Sequence, residues 1–150
     1  MAHWPTWRPN GRQLAYEGGD CQIWIVNLDG SNAHPLRQGG CDADTLQFQP
    51  AWSAVTGRLA TSSEVPIDGG RRARLILTMN IDGSDPRALT DGPGDNQPAW
   101  SPDGSHLAYI KGRFLFNQQL FLNDLTVMAS DGTDQRTVLS SEDLIQHPAW

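Results

Sequence analysis

The stretch Pro98-Ala99-Trp100-Ser101-Pro102-Asp103-Gly104 decides the fold, because its Pro-x-Trp core recurs along the chain. The core is found at three other places: Pro5-Thr6-Trp7, Pro50-Ala51-Trp52 and Pro148-Ala149-Trp150. The four tryptophans are 45, 48 and 50 residues apart. A regular period of this length indicates a protein built from tandem structural units.

A second sequence element keeps step with the first three tryptophans. In each unit an aliphatic run ends in an Asp-Gly pair, and another aliphatic residue stands seven positions after the aspartate. The pairs are Asp29-Gly30, Asp82-Gly83 and Asp131-Gly132, and the later residues are Leu36, Leu89 and Val138. Two signatures with one period indicate a true repeat.

Each unit is predicted to form four short antiparallel strands. The Pro-x-Trp segment is the first strand, and a turn containing Pro and Gly leads to a second strand such as His106–Tyr109. The aliphatic run is the third strand, and the Asp-Gly hairpin returns a fourth. Units of four antiparallel strands at this period are typical of β-propeller blades. The sequence therefore predicts an all-β fold with three blades, at about residues 3–40, 47–91 and 96–140, followed by a stub of a further blade at 145–150.

The repeated residues are expected to have structural roles. Trp7, Trp52 and Trp100 are predicted to pack between neighbouring sheets, because buried aromatic rings dominate core energetics. Trp24 is expected in the core and Trp4 at the surface. The repeated aspartates Asp29, Asp82 and Asp131, with Asp103, are expected to bond the backbone of their own turns, and Gly30, Gly83 and Gly132 to supply the positive φ.

Composition and motifs exclude several classes of function. Asp and Glu outnumber Lys and Arg by 17 to 11, which argues against a general nucleic-acid binder. No apolar run is long enough to span a membrane, and Met1–Pro5 lacks the features of a signal peptide. No nucleophile elbow, phosphate loop, metal site or cofactor motif is found, so neither catalysis nor a cofactor is predicted. The acidic loops 42–44 and 91–96 are predicted to be solvated turns. Cys21 and Cys41 are expected to be two free thiols, with one bridge between them as the alternative.

Two segments interrupt the repeat and are candidate partner-binding loops. Residues 65–74 are predicted to be an extended hairpin loop whose Arg71, Arg72 and Arg74 could contact an acidic partner. Residues 112–124 contain Phe114, Phe116 and Phe121. This apolar segment is either an exposed partner site or an extension of the second and third strands packed on a neighbouring blade.

The segments Pro98–Tyr109 and Val127–Asp134, together with Met79–Ser84, resemble the TolB-type (WD-like) β-propeller repeat. The resemblance implies a non-catalytic scaffold that binds a protein or peptide through loops around a channel mouth, as in the six-bladed periplasmic TolB proteins. Similar blades occur in prolyl-oligopeptidase-type peptidases and in some lyases, so an accessory propeller of such an enzyme is an alternative. A carbohydrate-binding propeller that uses Trp4 or Phe114 is a second alternative.

Three blades do not close a ring, because single-chain propellers usually have four to eight. The sequence therefore favours a piece of a larger propeller over a self-contained protein. In isolation, two copies are expected to associate about a two-fold axis into a six-bladed ring, which would cover the apolar faces of the first and last blades.

Overall fold

A computed structural model describes residues 2–42, 44–115, 120–141, 146 and 148. The described residues form three four-stranded antiparallel sheets, each with its strands in sequence order. Blade 1 consists of β1 (His3–Trp7), β2 (Gln13–Glu17), β3 (Ile23–Asn27) and β4 (His34–Pro35). Blade 2 consists of β5 (Leu46–Trp52), β6 (Leu59–Ile67), β7 (Arg71–Met79) and β8 (Arg87–Ala88). Blade 3 consists of β9 (Asn96–Trp100), β10 (His106–Leu115), β11 (Leu120–Ala129) and β12 (Arg136–Ser141). The fold is therefore all-β, a partial β-propeller, and its described part contains no helix with the length and apolar character that a membrane crossing requires.

The first strands of the three blades lie side by side and line a half channel. Each of them pairs with the second strand of its own sheet and leaves its other edge without a ladder partner in that sheet. Proline lacks a backbone N–H, so it is tolerated on such an edge strand. Pro5, Pro50 and Pro98 accordingly line the channel wall. The residue before each proline has a left-handed backbone, with φ between 50° and 55° at Trp4, Gln49 and Gln97, and the pairing register shifts there.

Apolar side chains from adjacent blades form two cores. Ala15, Ile23 and Ile25 of blade 1 pack against Leu59 and Met79 of blade 2. The same arrangement recurs between blades 2 and 3, with Ala60, Ile76 and Leu89 on one side and Leu107, Tyr109 and Met128 on the other. Cutting a core residue of this size back to alanine typically costs about 2–5 kcal/mol. The cohesion of the molecule therefore lies between blades as much as within them.

The repeated tryptophans occupy one position in each blade but differ in exposure. Trp52 is 8% exposed in the first core, and Trp100 packs against the second. Trp7 is 60% exposed, which corrects the prediction that it packs between sheets. Each of the other two rings packs on the preceding blade, and no blade precedes blade 1 in the described part of the chain.

Trp24 also differs from its prediction. It is half-buried on the face of blade 1 that lies opposite the first core, and its indole Nε1–H donates to both carboxylate oxygens of Asp20. Trp4, expected at the surface, is half-buried in the channel wall.

The repeated aspartates bond the turns that contain them. The Asp29 carboxylate accepts hydrogen bonds from the amide and hydroxyl of Ser31, and Asp82 and Asp131 do the same with Ser84 and Thr133. The hydroxyl bond and then the amide bond lower the pKa of each carboxyl. Gly30, Gly83 and Gly132 follow with φ between 78° and 91°, a conformation that side chains disfavour.

Candidate functional site at the hairpin end of the half channel

Two hairpins rise above the rest of the molecule at one end of the half channel. The β6–β7 ladder has nine residue pairs and the β10–β11 ladder has ten, whereas the β2–β3 ladder has five. We call β6–β7 the arginine hairpin and β10–β11 the apolar hairpin. The segment 65–74, predicted as a loop, is instead the paired top of the arginine hairpin, closed by a turn at Asp68–Gly70.

The arginines of this hairpin have different surroundings. Arg71 is exposed beside the turn. Arg72 donates through Nη2 to the carbonyl oxygens of Asp44 at 2.7 Å and Glu64 at 2.9 Å. Arg74 forms an ion pair with the Glu64 carboxylate, and its guanidinium lies 5.1 Å from the centre of the Phe48 ring. Arg72 and Arg74 therefore hold the hairpin against the rest of blade 2 while about a third of each side chain stays exposed.

A groove runs along the side of the arginine hairpin, in its upper half. It has a volume of about 330 Å³ and is lined by Glu64, Arg72, Arg74, Pro93, Gly94 and Asn96. The linker between blades 2 and 3 forms one wall, since the Asp95 amide donates to the Arg74 carbonyl at 2.9 Å. Behind this wall Gly94 abuts Gly112 of the apolar hairpin, where a Cβ added to Gly112 would lie 3.0 Å from the Gly94 carbonyl oxygen.

The apolar hairpin extends the second and third strands of blade 3, which was one of the two predicted alternatives. Phe114 and Phe121 are paired directly across it. Phe116 lies outside the described residues, as do the side chains of Phe114 and Phe121. Lower in the ladder, Arg113 Nε lies 2.6 Å from Oδ2 of the buried Asp124 carboxylate.

Blade 1 has a short turn in place of a tall hairpin, and a disulfide bond joins this turn to the next linker. Cys21 and Cys41 are bonded, so the prediction of free thiols was wrong. The linker from Asp29 to Trp52 spans 23 residues, against 18 from Asp82 to Trp100. The longer linker folds back over the short turn and brings Cys41 to Cys21. This difference in length was the sequence signal that could have revealed the bridge.

The half channel itself is a cavity of about 360 Å³ lined largely by Pro, Ala and Trp of the three first strands. Polar bonds between blades run beside it. The backbone N–H of Gln49 donates to the Glu17 carboxylate at 3.1 Å, and the backbone N–H of Gln97 donates to the side-chain Oε1 of Gln49 at 3.0 Å. A side chain of one blade thus accepts a hydrogen bond from the bulged backbone of the next blade. In blade 1 the acceptor is a glutamate of the second strand, because Trp4 stands where blades 2 and 3 have Gln49 and Gln97.

Asp95 is the residue that sequence reasoning placed least well. Its segment was predicted to be a solvated turn, but Asp95 is fully buried between blades 2 and 3. Its carbonyl accepts from the Ser62 hydroxyl at 3.2 Å, while neither carboxylate oxygen has a hydrogen-bond partner of normal geometry among the described residues. Burial raises the pKa of the Asp95 carboxyl, and the nearby Thr90 and Lys111 only partly oppose this rise. Burial, together with the negative charge of Asp95, also raises the pKa of Tyr109.

Metal-ligating side chains do not cluster in the part of the chain that the structure describes. Within these ranges His, Cys, Asp and Glu nowhere meet in groups of three or more.

Comparison with known sequences gives one relative named as a TolB homolog. No model of a known protein family matches the chain. The chain is 31% identical over 125 residues to the TolB homolog of Chlorobium luteolum, a match that covers 81% of this chain and 26% of that protein. The chain thus spans about a quarter of this relative's length.

Solved structures share the fold at lower identity. A protein assigned as TolB from Agrobacterium tumefaciens superposes with a TM-score of 0.71 at 20% identity, over 93% of this chain and 46% of that one. Oligogalacturonate lyase from Vibrio parahaemolyticus gives 0.65 at 11% identity, over 94% and 40%. A puromycin hydrolase gives 0.66 at 20% identity, over 93% and 24%. The tandem Pro-x-Trp and Asp-Gly signatures, the three four-stranded blades and the TolB relative together show that this chain is similar to the TolB-type β-propeller repeat family over most of its length.

Proposed function

We propose that this chain is part of a non-catalytic propeller scaffold that binds a protein or peptide segment at the hairpin end of its half channel. The groove along the upper half of the arginine hairpin is the observation that carries the proposal. Its floor and walls belong to paired strands and to a linker bonded to them, so the groove is formed before a partner arrives. A preformed site avoids the entropy cost of ordering loops on binding.

The charges at the groove favour an extended segment that carries an acidic residue. Arg72 and Arg74 share the single carboxylate of Glu64, and Arg71 adds a further exposed cation at the top of the hairpin. With Asp68 of the closing turn counted, this hairpin has three arginines against two carboxylates, an excess of positive charge on a chain whose formal net charge is −6. Local complementarity of this kind steers association and selects partners.

An accessory role in a peptidase or lyase is the alternative. Solved structures with this fold include a lyase and several peptidases or hydrolases, but their likeness concerns the fold, and no contact in the described residues favours either chemistry.

Selection of binding peptides tests the proposal. A displayed library of random extended peptides is selected against the chain, and the enriched peptides are then measured by calorimetry. We expect enrichment of acidic peptides whose dissociation constant rises about tenfold when Arg71 and Arg72 are both changed to glutamine, the loss expected for two charge-assisted contacts. The matched control is the double variant Arg87→Gln and Arg136→Gln, which removes two exposed arginines from outer strands. Equal weakening by the control pair, or no enrichment at all, would refute the proposed site.

A further inference from the structure

The Cys21–Cys41 disulfide lies at one end of a short chain segment whose other end contacts the arginine hairpin. Asp44 follows Cys41 by three residues. Consecutive Cα atoms lie about 3.8 Å apart, so the Cα atoms of these two residues stay within about 11 Å of each other. The carbonyl oxygen of Asp44 accepts a hydrogen bond from Arg72 Nη2 at 2.7 Å. A short covalent path and one hydrogen bond therefore join the disulfide to a side chain of the arginine hairpin.

Arg72 is also one of the residues that line the proposed binding groove. Its Nη2 group bridges the Asp44 carbonyl of the linker and, at 2.9 Å, the Glu64 carbonyl of β6. A guanidinium has five N–H donors. Among the described residues these two bonds occupy Nη2 alone, so the Nη1 donors are presented to an acidic ligand in a fixed orientation.

The disulfide is accessible, and the strand that follows it is held by other bonds. Cys41 is exposed and Cys21 is half-buried. The backbone N–H of Gln47 donates to the Cys21 carbonyl at 2.9 Å, and Leu46 pairs with Glu64 across β5 and β6. Opening the bridge therefore frees the linker before Leu46 and removes no bond of β5.

We propose that the redox state of Cys21 and Cys41 regulates the groove, because the closed disulfide holds Asp44 against Arg72. This regulation rests on the proposed function of the groove. In the oxidised chain the linker and the hairpin together fix the Arg72 guanidinium, and in the reduced chain the hairpin holds it alone. A side chain that must be ordered on binding costs conformational entropy, so the oxidised chain binds an acidic segment more tightly.

A dithiol is the reductant that this regulation requires. One of its thiolates attacks the exposed sulfur of Cys41 and displaces the Cys21 thiolate, which leaves a mixed disulfide. The second thiol of the reductant then displaces Cys41, and the reductant departs as its own disulfide. Two electrons and two protons pass from the dithiol to the two cysteines.

The reduction equilibrium tests the link without any peptide. Coupling between two sites is reciprocal, so Arg72 must in turn stabilise the disulfide. The chain is equilibrated in mixtures of reduced and oxidised dithiothreitol, its thiols are alkylated, and mass spectrometry gives the reduced fraction. We expect Arg72→Gln to raise the equilibrium constant for reduction about threefold, the size expected of one partly exposed charge-assisted contact. Arg71→Gln, on the same hairpin but exposed beside the turn, is the matched control and is expected to change nothing.

Peptide binding tests the regulation itself. Calorimetry compares the oxidised and the reduced chain with an acidic peptide enriched in the selection described above, after circular dichroism has recorded the strand signal of both. We expect reduction to raise the dissociation constant about threefold in the wild type and in Arg71→Gln, and to leave it unchanged in Arg72→Gln.

The outcomes separate this proposal from the proposed function. Equal reduction of Arg72→Gln and Arg71→Gln, or equal peptide affinity in the two redox states, would overturn the regulation and leave the proposed function intact. Absence of binding in both states would refute the proposed function and the regulation with it. Loss of the strand signal on reduction would also overturn the regulation, because the bridge would then maintain the whole fold rather than one linker.

Discussion

At the residue scale, one position of the repeat shows how context changes the role of a side chain. Asp95 and Gln47 both stand five residues before a repeated tryptophan, and both are buried. The backbone N–H of each donates to a carbonyl oxygen of the preceding blade. Gln47 is neutral and donates to the Met79 sulfur. Asp95 is ionisable in an equivalent place, and a buried carboxylate without good partners destabilises the fold when charged.

We expect Asp95→Asn to stabilise the protein at neutral pH. The pKa of Asp95 is raised in the folded state, so its contribution is most favourable below the unfolded pKa of about 3.9 and is lost as pH rises through the folded value. The variant should gain about 1 kcal/mol in the free energy of unfolding at pH 7.5 relative to wild type, and clearly less at pH 4. Urea unfolding at both pH values measures the difference. Asp91→Asn, in the same linker but exposed, is the control, and an equal gain there would contradict the role of burial.

At the scale of elements, the ends of the second and third strands distinguish three otherwise similar blades. Blades 2 and 3 extend these strands into tall hairpins, with Arg72 and Arg74 fastening the first of them. Blade 1 has a short turn instead of a tall hairpin, and the linker to blade 2 folds over this turn. The Cys21–Cys41 disulfide joins the linker to the turn. Variation at strand ends leaves the sheet pairing intact, so binding surfaces can differ while the blade stays constant.

Loss of the disulfide is expected to loosen this linker. The bridge closes a loop with a sequence separation of 20 residues, for which the chain-entropy model gives about 3 kcal/mol. The double variant Cys21→Ser and Cys41→Ser should lose about that much stability and exchange amide hydrogens faster across residues 37–42. The 91–95 linker, which has no bridge, serves as the internal reference. Unchanged exchange at 37–42 would show that the bridge does not order the linker.

At the scale of the whole molecule, blades 1 and 2 and blades 2 and 3 form equivalent interfaces. Blade 1 and blade 3 each have one further face that is not covered by another described blade. A Cβ on Gly83 would lie 2.8 Å from the Leu36 carbonyl, and one on Gly132 would lie 2.9 Å from that of Leu89. The equivalent Gly30 has nothing within 4 Å. On the other side, Val138 is 55% exposed, although its counterparts Leu36 and Leu89 are buried. The residues exposed on these two faces are therefore the repeat equivalents of residues that are in contact at the two interfaces between blades.

The isolated chain is therefore expected to self-associate through these faces, and two copies would supply six blades. Sedimentation equilibrium should give twice the chain mass of 16.5 kDa at micromolar concentration. Trp7→Ser should raise the dissociation constant about tenfold or more, because a large aromatic ring is lost from an interface. Val55→Ser is the control, since Val55 is 65% exposed but belongs to a blade covered on both faces. A stable monomer would contradict self-association and show that these faces do not pack against a second copy of the chain.

Local chemistry explains what the sequence by itself determined. The Pro-x-Trp period, the Asp-Gly turns and the alternating strands depend on residues a few positions apart, so the three blades and their turn aspartates could be predicted. The exposure of Trp7, the pairing of Cys21 with Cys41 and the burial of Asp95 required the tertiary structure. Each depends on which blade or linker lies beside the residue, and that neighbour is distant in sequence.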